Sequence, residues 1–295
     1  MNLNKRYPSY MAAGAFVLFA VLVFFPGILG IFYSFTNWNS YSSDIRFVGM
    51  KNYAKAFSNT EGYTGYIINT LLFTLFTTLL KTILGILLAL LFNGTWVRGN
   101  HVHRMIIFSP QVMSYLIVGL VFKSLLNPSH GFVNVFLKWC GLGFLAQSWL
   151  SKPGLAFASV VLVDTWKGVG YIMMVVLAGL QVISTSYYEA ASMDGASFWQ
   201  QTRYITMPLL APVLINVTVL NLTYGFRVFD IIYSLTHGGP GHATEVLNTA
   251  VYAEFAKGNY AMGTALSSIL FVFVMSISYF LLKAMDVKEE ADENA

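Results

Sequence analysis

The sequence predicts an all-α integral membrane protein, one domain over residues 1–295 with six transmembrane helices. Three observations carry this. First, 56% of the residues are hydrophobic and only 10% are charged, where a soluble domain carries about a quarter charged residues. Second, the apolar stretches are long enough to be spans of roughly 20 residues, and a backbone in lipid must satisfy its own hydrogen bonds, which selects helices. Third, only one long polar interruption, Tyr188 to Pro208, also reads as ordered helix. The net charge of +4 is too small to suggest nucleic acid as a partner. A single cysteine, Cys140, permits no intrachain disulfide and no cysteine metal cluster, and reads as a small hydrophobe. No G-x4-G-K-[ST] loop is present, so any ATP dependence must come from a partner.

The elements follow in order. Lys5 and Arg6 precede span 1, residues 10–35. A signal peptide begins similarly, but its apolar core is shorter. Pro26-Gly27 should kink this span, and Trp38 suits the membrane–water boundary. Thr36 to Tyr63 is a polar connection with Asp44, Arg46, Lys51, Lys55 and Glu61, and it holds a short amphipathic helix. Asn69-Thr70 opens span 2, residues 66–92. The loop Asn93 to Arg104 is basic, with Arg98, His101, His103 and Arg104; the two histidines have no third partner and make no metal site. Span 3, residues 105–126, carries Pro110 near its inner part. An external connection, Asn127 to Lys152, should hold a short amphipathic helix around Val133–Leu142.

Span 4, residues 155–183, leads into the polar loop 184–208. Glu189, Ala190 and Ala191 begin a run of good helix formers. Asp194-Gly195 breaks that run with a turn dipeptide. Ala196 to Tyr204 forms a second short helix, and Pro208 restarts the chain into span 5, residues 209–229, because proline suits a helix start. Gly238, Gly239 and Pro240 then make a tight external turn, with Thr236 before it and Thr244 after. Span 6 covers 260–282, and the acidic tail Asp286 to Ala295 should fray. Six spans put both ends, the basic loop and the 184–208 loop on one side. Charge bias alone does not set the orientation. Seven basic residues fall on that side (Lys5, Arg6, Arg98, Arg104, Arg203, Lys283, Lys288) and six on the other (Arg46, Lys51, Lys55, Lys138, Lys152, Lys257).

Glu189-Ala190-Ala191, Gly195, Ile205 and Pro208 together resemble the EAA signature of binding-protein-dependent ABC importer permeases, E-A-A-x3-G-x9-I-x-L-P. Met207 stands where leucine is usual. Phe47-Val48-Gly49 with Asn52, Tyr53 and Phe57 also follow the family. So do Phe108, Pro110, Phe122, Asn127 and Gly131, and Trp166, Gly168, Met173 and Ile183. The T-x-G-G-P turn is similar to the carbohydrate, maltose-type branch. Ser184 departs from the usual proline and leaves the entry angle into the EAA helix open. The resemblance covers roughly Phe47 to Leu281. It implies a type I ABC importer permease fold in the bacterial plasma (inner) membrane, multi-pass, with both termini cytoplasmic. It implies four kinds of partner: a homologous second permease subunit in a heterodimer, two ATPase subunits, an extracytoplasmic solute-binding protein and the lipid bilayer. ATP and Mg would sit on the ATPase partners, with no cofactor on this chain. In the EAA loop, Glu189 would be the polar anchor in the ATPase groove, Ala190 and Ala191 would allow close approach, and Gly195 would allow the bend. Asp194, Ile205 and Pro208 complete the coupling set.

Ionisable groups inside spans are functional candidates by default. Lys81 lies mid-span 2. Asp164 and Lys167 lie three residues apart on span 4, share a face and can pair. Lys123, Arg227 and Asp230 lie near outer ends, where snorkelling explains them. Three stripes at helical spacing follow: Gln111, Ser114 and Tyr115; Asp164, Lys167, Gly168 and Tyr171; Asn221, Tyr224, Gly225 and Val228. By resemblance to maltose-type permeases, sugar contacts fall on Gln111, Tyr115, Asp164, Gly168, Tyr171, Asn221 and Gly225. Asp, Asn and Gln bond hydroxyls, and Tyr offers a stacking face. The plainer reading is that these polar groups stitch helices together and the glycines allow close packing.

The expected function is therefore a non-enzymatic permease subunit of an ATP-driven importer of sugars, oligosaccharides in particular. The same architecture could import an anionic substrate such as a uronate oligosaccharide or glycerol phosphate, for which Lys81, Lys167 and Arg227 leave room. An ion-coupled secondary transporter would need internal repeats that the sequence does not show. A membrane enzyme finds no Ser/His/Asp set and no metal cluster, since all five histidines lie in loops.

Overall fold

The computed structural model describes residues 11–58, 62–94 and 98–293. Lys5 and Arg6, Glu61 and the last two residues of the acidic tail lie outside the described residues, as does Tyr10 at the start of span 1. Among the described residues, twelve helices follow in order, besides a short 3₁₀ turn at Gly143–Leu145. They are α1 (Ala12–Tyr33), α2 (Lys51–Phe57), α3 (Tyr63–Asn93), α4 (Asn100–Val112), α5 (Tyr115–Leu125), α6 (Phe132–Trp139), α7 (Pro153–Val182), α8 (Thr185–Met193), α9 (Phe198–Phe226), α10 (Asp230–Leu235), α11 (Leu247–Ala256) and α12 (Tyr260–Glu293). Among the described residues there is no strand, only an isolated bridge between Thr36 and Phe47. Five helices are long and apolar enough to cross a membrane, and the bent pair α4 and α5 brings the number to six if it counts as one span.

Four departures from the sequence expectation matter. Span 3 is not one helix: α4 and α5 meet at 99°. Met113 and Ser114 take extended backbone (ψ 145° and 139°) and end the first half. The break is tolerated because a buried partner takes up a freed carbonyl: Lys167 Nζ donates to Gln111 O at 3.2 Å. Second, Pro208 does not restart a helix. Phe198 to Phe226 run on continuously through a π turn at Thr202–Thr206, where Met207 N–H bonds back to Thr202 O. A second π turn, Ala20–Phe24, sits just before Pro26 in α1. A proline lacks the amide hydrogen and crowds the preceding turn; a widened turn ahead of it absorbs both defects without ending the helix. Third, span 5 stops at Phe226, and the stretch beyond it forms α10, whose Ile231, Ile232, Ser234 and Leu235 are buried. Fourth, the acidic tail does not fray at Asp286: α12 continues to Glu293, through alanine, glutamate and lysine that favour helix.

The fold divides into two compact units. One comprises residues 1–64 and 250–272. Here Asn52 Nδ2 donates to both Ser34 O and Thr36 O at 2.8 Å, and Tyr53 shares a 2.6 Å hydrogen bond with Ser34 Oγ, which fixes α2 onto the end of α1. Trp38 stacks against Tyr260 at 4.8 Å while its carbonyl accepts from Ala261 N–H. Burial pushes the Glu254 carboxyl up, but hydrogen bonds from Lys257 and Asn259, each 2.8 Å, outweigh it and hold the group below the usual carboxylate range.

The other unit comprises residues 65–249 and 273–295. Its axis is α7, buried from Ala156 to Leu180 along most of its length. One core cluster joins Phe73, Val118, Val160, Val163, Ile231, Ile232 and Leu235; a second joins Ala89, Ile172, Met173, Val176, Leu177, Leu210 and Val217. Leucines and phenylalanines on the outer faces of α3, α5 and α9 are exposed, as lipid-facing side chains are.

Candidate functional site

Two sites emerge in the larger unit, and opposite physics positions them. The first is the stretch from α8 into the start of α9. Ser184 precedes α8 and its hydroxyl accepts from Ser186 N–H. The helix ends in a Schellman turn: Ala196 N–H bonds to Ala191 O at 2.9 Å and Gly195 N–H to Ser192 O at 3.1 Å. Gly195 sits at φ 81°, a region costly for a side chain. Ser197 and Gln200 form a reciprocal capping box that starts α9. Gln201 Nε2 reaches back to Ser192 Oγ at 2.9 Å and Ala196 O at 3.2 Å, tying the two helices. Tyr188 OH meets Thr206 Oγ1 at 3.1 Å, so the element is also pinned to the π turn. Glu189, Ala190, Met193, Asp194, Gly195 and Pro208 are exposed; Ala191 and Ile205 are half-buried. The element thus satisfies its own backbone and leaves one face free. Beneath it lies a cleft of about 290 Å³ lined by Leu87, Leu90, Leu180, Tyr188, Trp199 and Thr206.

The second site is a polar seam inside the helix bundle. Lys81 of α3 reaches Asp164 of α7, Nζ to Oδ2 at 2.6 Å, with side-chain exposures of 3% and 0%. The other oxygen, Oδ1, accepts from Tyr224 OH of α9 at 2.6 Å. Tyr224 stacks on Tyr115 of α5 at 5.5 Å, and Lys81 Nζ stands 4.4 Å from the Tyr224 ring centroid. Lys167 Nζ lies 3.7 Å over the Tyr115 ring and donates to Gln111 O. Asn221 Nδ2 is 3.5 Å from Thr82 Oγ1. Side chains from α3, α5, α7 and α9 and the backbone carbonyl of Gln111 at the end of α4 therefore meet.

Of the residues chosen from sequence, Gln111, Tyr115, Asp164, Lys167 and Gly168 come together here, with Asn221 and Gly225 alongside. Gly168 faces Lys81: a Cβ there would stand 2.8 Å from Lys81 Cε. Gly225 packs on Thr74, whose Cα would be 2.9 Å from such a Cβ. Tyr171 is exposed and stands outside the seam. The sequence spacing lets Asp164 pair with Lys167 one turn along; the structure pairs it with Lys81 on another helix, while the half-helix end and the Tyr115 ring hold Lys167. Sequence reasoning marked Lys81 and Tyr224 as polar positions in spans but left both out of the site. Their recurrence at mid-span was the signal available.

The glycine–proline turn after α10 is held by side chains. Thr244 Oγ1 bonds Thr236 Oγ1 at 2.7 Å and donates to Gly239 O at 2.8 Å; Gly238 takes φ 80°. Glu245 accepts from His242 Nδ1 at 3.0 Å, and Asn69 Nδ2 donates to Glu245 O at 2.9 Å. Among the described residues no group of three His, Cys, Asp or Glu could hold a metal.

With this geometry in hand, comparison with known proteins is informative. The family model described as "Binding-protein-dependent transport system inner membrane component" matches residues 81–286. The chain is 32% identical over 291 residues to the probable ABC transporter permease protein YurN of Bacillus subtilis, covering 98% of this chain and 99% of that protein. It is 37% identical over 273 residues to the trehalose/maltose transport system permease protein MalF of Thermococcus litoralis, covering 90% of each. It also superposes, with a TM-score of 0.81 and 26% identity over 93% of each chain, on a chain of a bacterial ABC transporter involved in the import of the acidic polysaccharide alginate.

Proposed function

The chain belongs to the family of binding-protein-dependent transport system inner membrane components, and from that premise we propose that it is the permease subunit of an ATP-driven importer of sugars. It is a transport component with the type I ABC importer permease fold, not an enzyme. The observation that carries the reading is the exposed, self-capped helix–turn–helix at Thr185–Thr206. Two ATPase subunits would grip this element in the cytoplasm, with Glu189 as polar anchor and Ala190 and Ala191 at closest approach. They would hold the ATP and Mg. A homologous second permease would complete the membrane pair, and an extracytoplasmic binding protein would deliver the sugar. Both termini would then be cytoplasmic, on the side of the coupling element.

Motion would pass inward along α9. This helix runs without interruption from Phe198, beside the coupling turn, to Tyr224, which holds Asp164. A pull on Gln201 and Thr206 would shift Tyr224 and load the Lys81–Asp164 pair. Sugar hydroxyls would take the places that these side chains now give one another, with Tyr115 and Tyr224 as stacking faces. Gly168 and Gly225 would keep the helices close enough for that exchange.

The test is capture of the purified ATPase by the assembled permease pair, wild type against Glu189→Lys with Gly195→Pro. Capture and ATP-driven uptake should both be lost while the membrane pair stays assembled. If both survive, the coupling assignment is wrong, and uptake driven by an ion gradient becomes the reading to test.

A further inference from the structure

The seam carries a charge imbalance. Among the described residues of the larger unit, the buried charged side chains are Lys81, Lys167 and Asp164: two cations against one anion. Asp164 gives Oδ2 to the ion pair with Lys81 and Oδ1 to the Tyr224 hydroxyl. Lys167 makes no direct ion pair and only shares the field of Asp164 with Lys81. Its ammonium has three donors, and its contacts are one backbone carbonyl, Gln111 O, and the face of Tyr115. Its relative exposure is 2%. An ammonium held this far from water is costly unless an anion answers it. The residue whose carbonyl Lys167 bonds, Gln111, also carries a buried side-chain acceptor, Oε1, with no hydrogen-bond partner. One place thus offers spare cationic donors and a spare acceptor, and asks for a ligand that brings both a negative charge and a hydroxyl.

Resting on the importer reading above, we infer that the cargo is a hydroxylated anion, an acidic saccharide, whose charged group is taken by Lys167 and whose hydroxyl is taken by Gln111 Oε1. Carboxylate and phosphate share this chemistry. A uronate saccharide and a phosphorylated polyol are its two sources. Lys81 is not the first contact, because Asp164 already neutralises it. Lys167 also caps the free carbonyl end of α4, which holds its ammonium in place.

The whole importer, with both permease subunits, ATPases and binding protein, would be reconstituted in proteoliposomes. Uptake would be compared for a hexuronate trisaccharide, its methyl ester of the same shape without charge, and glycerol phosphate. The acid should enter at least tenfold faster than the ester. Lys167→Met should remove that preference and Lys167→Arg should keep most of it. Lys167→Gln, which retains a donor to Gln111 O, serves if the methionine variant fails to assemble. A faster entry of glycerol phosphate than of the uronate supports the anionic class with phosphate as the charge. Equal uptake of acid and ester overturns the inference and leaves the importer reading intact. So does an equal loss of both in the Lys167 variants, which a purely structural cap would give. Uptake that needs no ATP removes the importer reading, and the inference with it.

Discussion

Asp164 and Glu189 are carboxylates on consecutive helices in opposite surroundings. Asp164 has no exposure and both oxygens engaged, by residues from α3 and α9. Glu189 stands in the open on α8. Around Asp164, order comes from partners distant in sequence. Around Glu189, order comes from the chain's own caps within a few residues: the Schellman turn at Gly195, the capping box at Ser197 and the tie from Gln201. In the interior site the Lys81–Asp164 pair is held by mutual attraction, so removing either member strands the other. An element with the docking role proposed for α8 would have to hold its shape by its own caps, because its exposed face has no support from the rest of the chain. The same chain therefore stabilises one site by long-range pairing and the other by local backbone chemistry.

The hardest blow to this contrast would be a variant of Asp164 that does no harm. Replacing one member of a buried pair strands the other, at a cost of about 3–5 kcal/mol. Asp164→Leu should thus lower the melting temperature of the detergent-purified permease far more than Glu189→Leu, which removes nothing internal. The double variant Lys81→Met with Asp164→Leu should recover most of the loss, since an apolar pair of similar volume needs no compensation. Equal melting of Asp164→Leu and Glu189→Leu would show that the ion pair does not hold the seam.

A gentler probe acts on Lys81 without touching its charge. Gly168→Ala puts a methyl group 2.8 Å from Lys81 Cε. A free lysine would swing aside, but this one is held at both ends, by its own helix and by Asp164. Overpacking of this kind costs about 1–3 kcal/mol. The melting temperature should fall by less than for Asp164→Leu, and the loss should shrink sharply when Gly168→Ala is made on the Lys81→Met, Asp164→Leu background. That coupling, read in a double-mutant cycle, separates pressure on the pair from ordinary crowding.

The contrast also explains what could be read from the sequence. The spans were legible because lipid imposes a composition, and the turn after α8 was legible because Asp194-Gly195 carries its geometry with it. The break in span 3 was not: Met113 and Ser114 are ordinary residues, and their extended backbone persists because Lys167, on another helix, takes the carbonyl of Gln111. The Lys81 partner of Asp164 was not legible for the same reason. Residues one turn apart are neighbours by arithmetic, but Lys81 is a neighbour only once α3 and α7 have packed. Helix α10 was passed over because Ile231, Ile232 and Leu235 form too short an apolar run to show a period. Pro208 misled because its π turn lies in the preceding residues and has no compositional mark.

At the coupling element the expected effects on stability are smaller and those on transport larger. Gly195→Ala forces a side chain into φ 81°, at a cost of roughly 1–2 kcal/mol. The strain is confined to an exposed turn, so the bundle should melt nearly as wild type while ATPase capture weakens. Gln201→Leu is the finest cut. It removes the bonds to Ser192 Oγ and Ala196 O, each worth about 0.5–1.5 kcal/mol, and leaves the Schellman turn, the capping box and the exposed face of α8 unchanged. The docking surface should therefore still bind the ATPase with wild-type affinity. What should suffer is the rigidity between α8 and α9, because Gln201 ties them next to the turn and, of the side-chain bonds described between them, only Tyr188–Thr206 remains without it. The expected result is normal capture, normal melting and ATP hydrolysis uncoupled from uptake by several-fold. Capture and coupling falling together would mean that Gln201 shapes the docking face. Uptake at the wild-type rate would mean that the turn's backbone alone carries the pull into α9, so that local chemistry suffices for transmission as well as for shape.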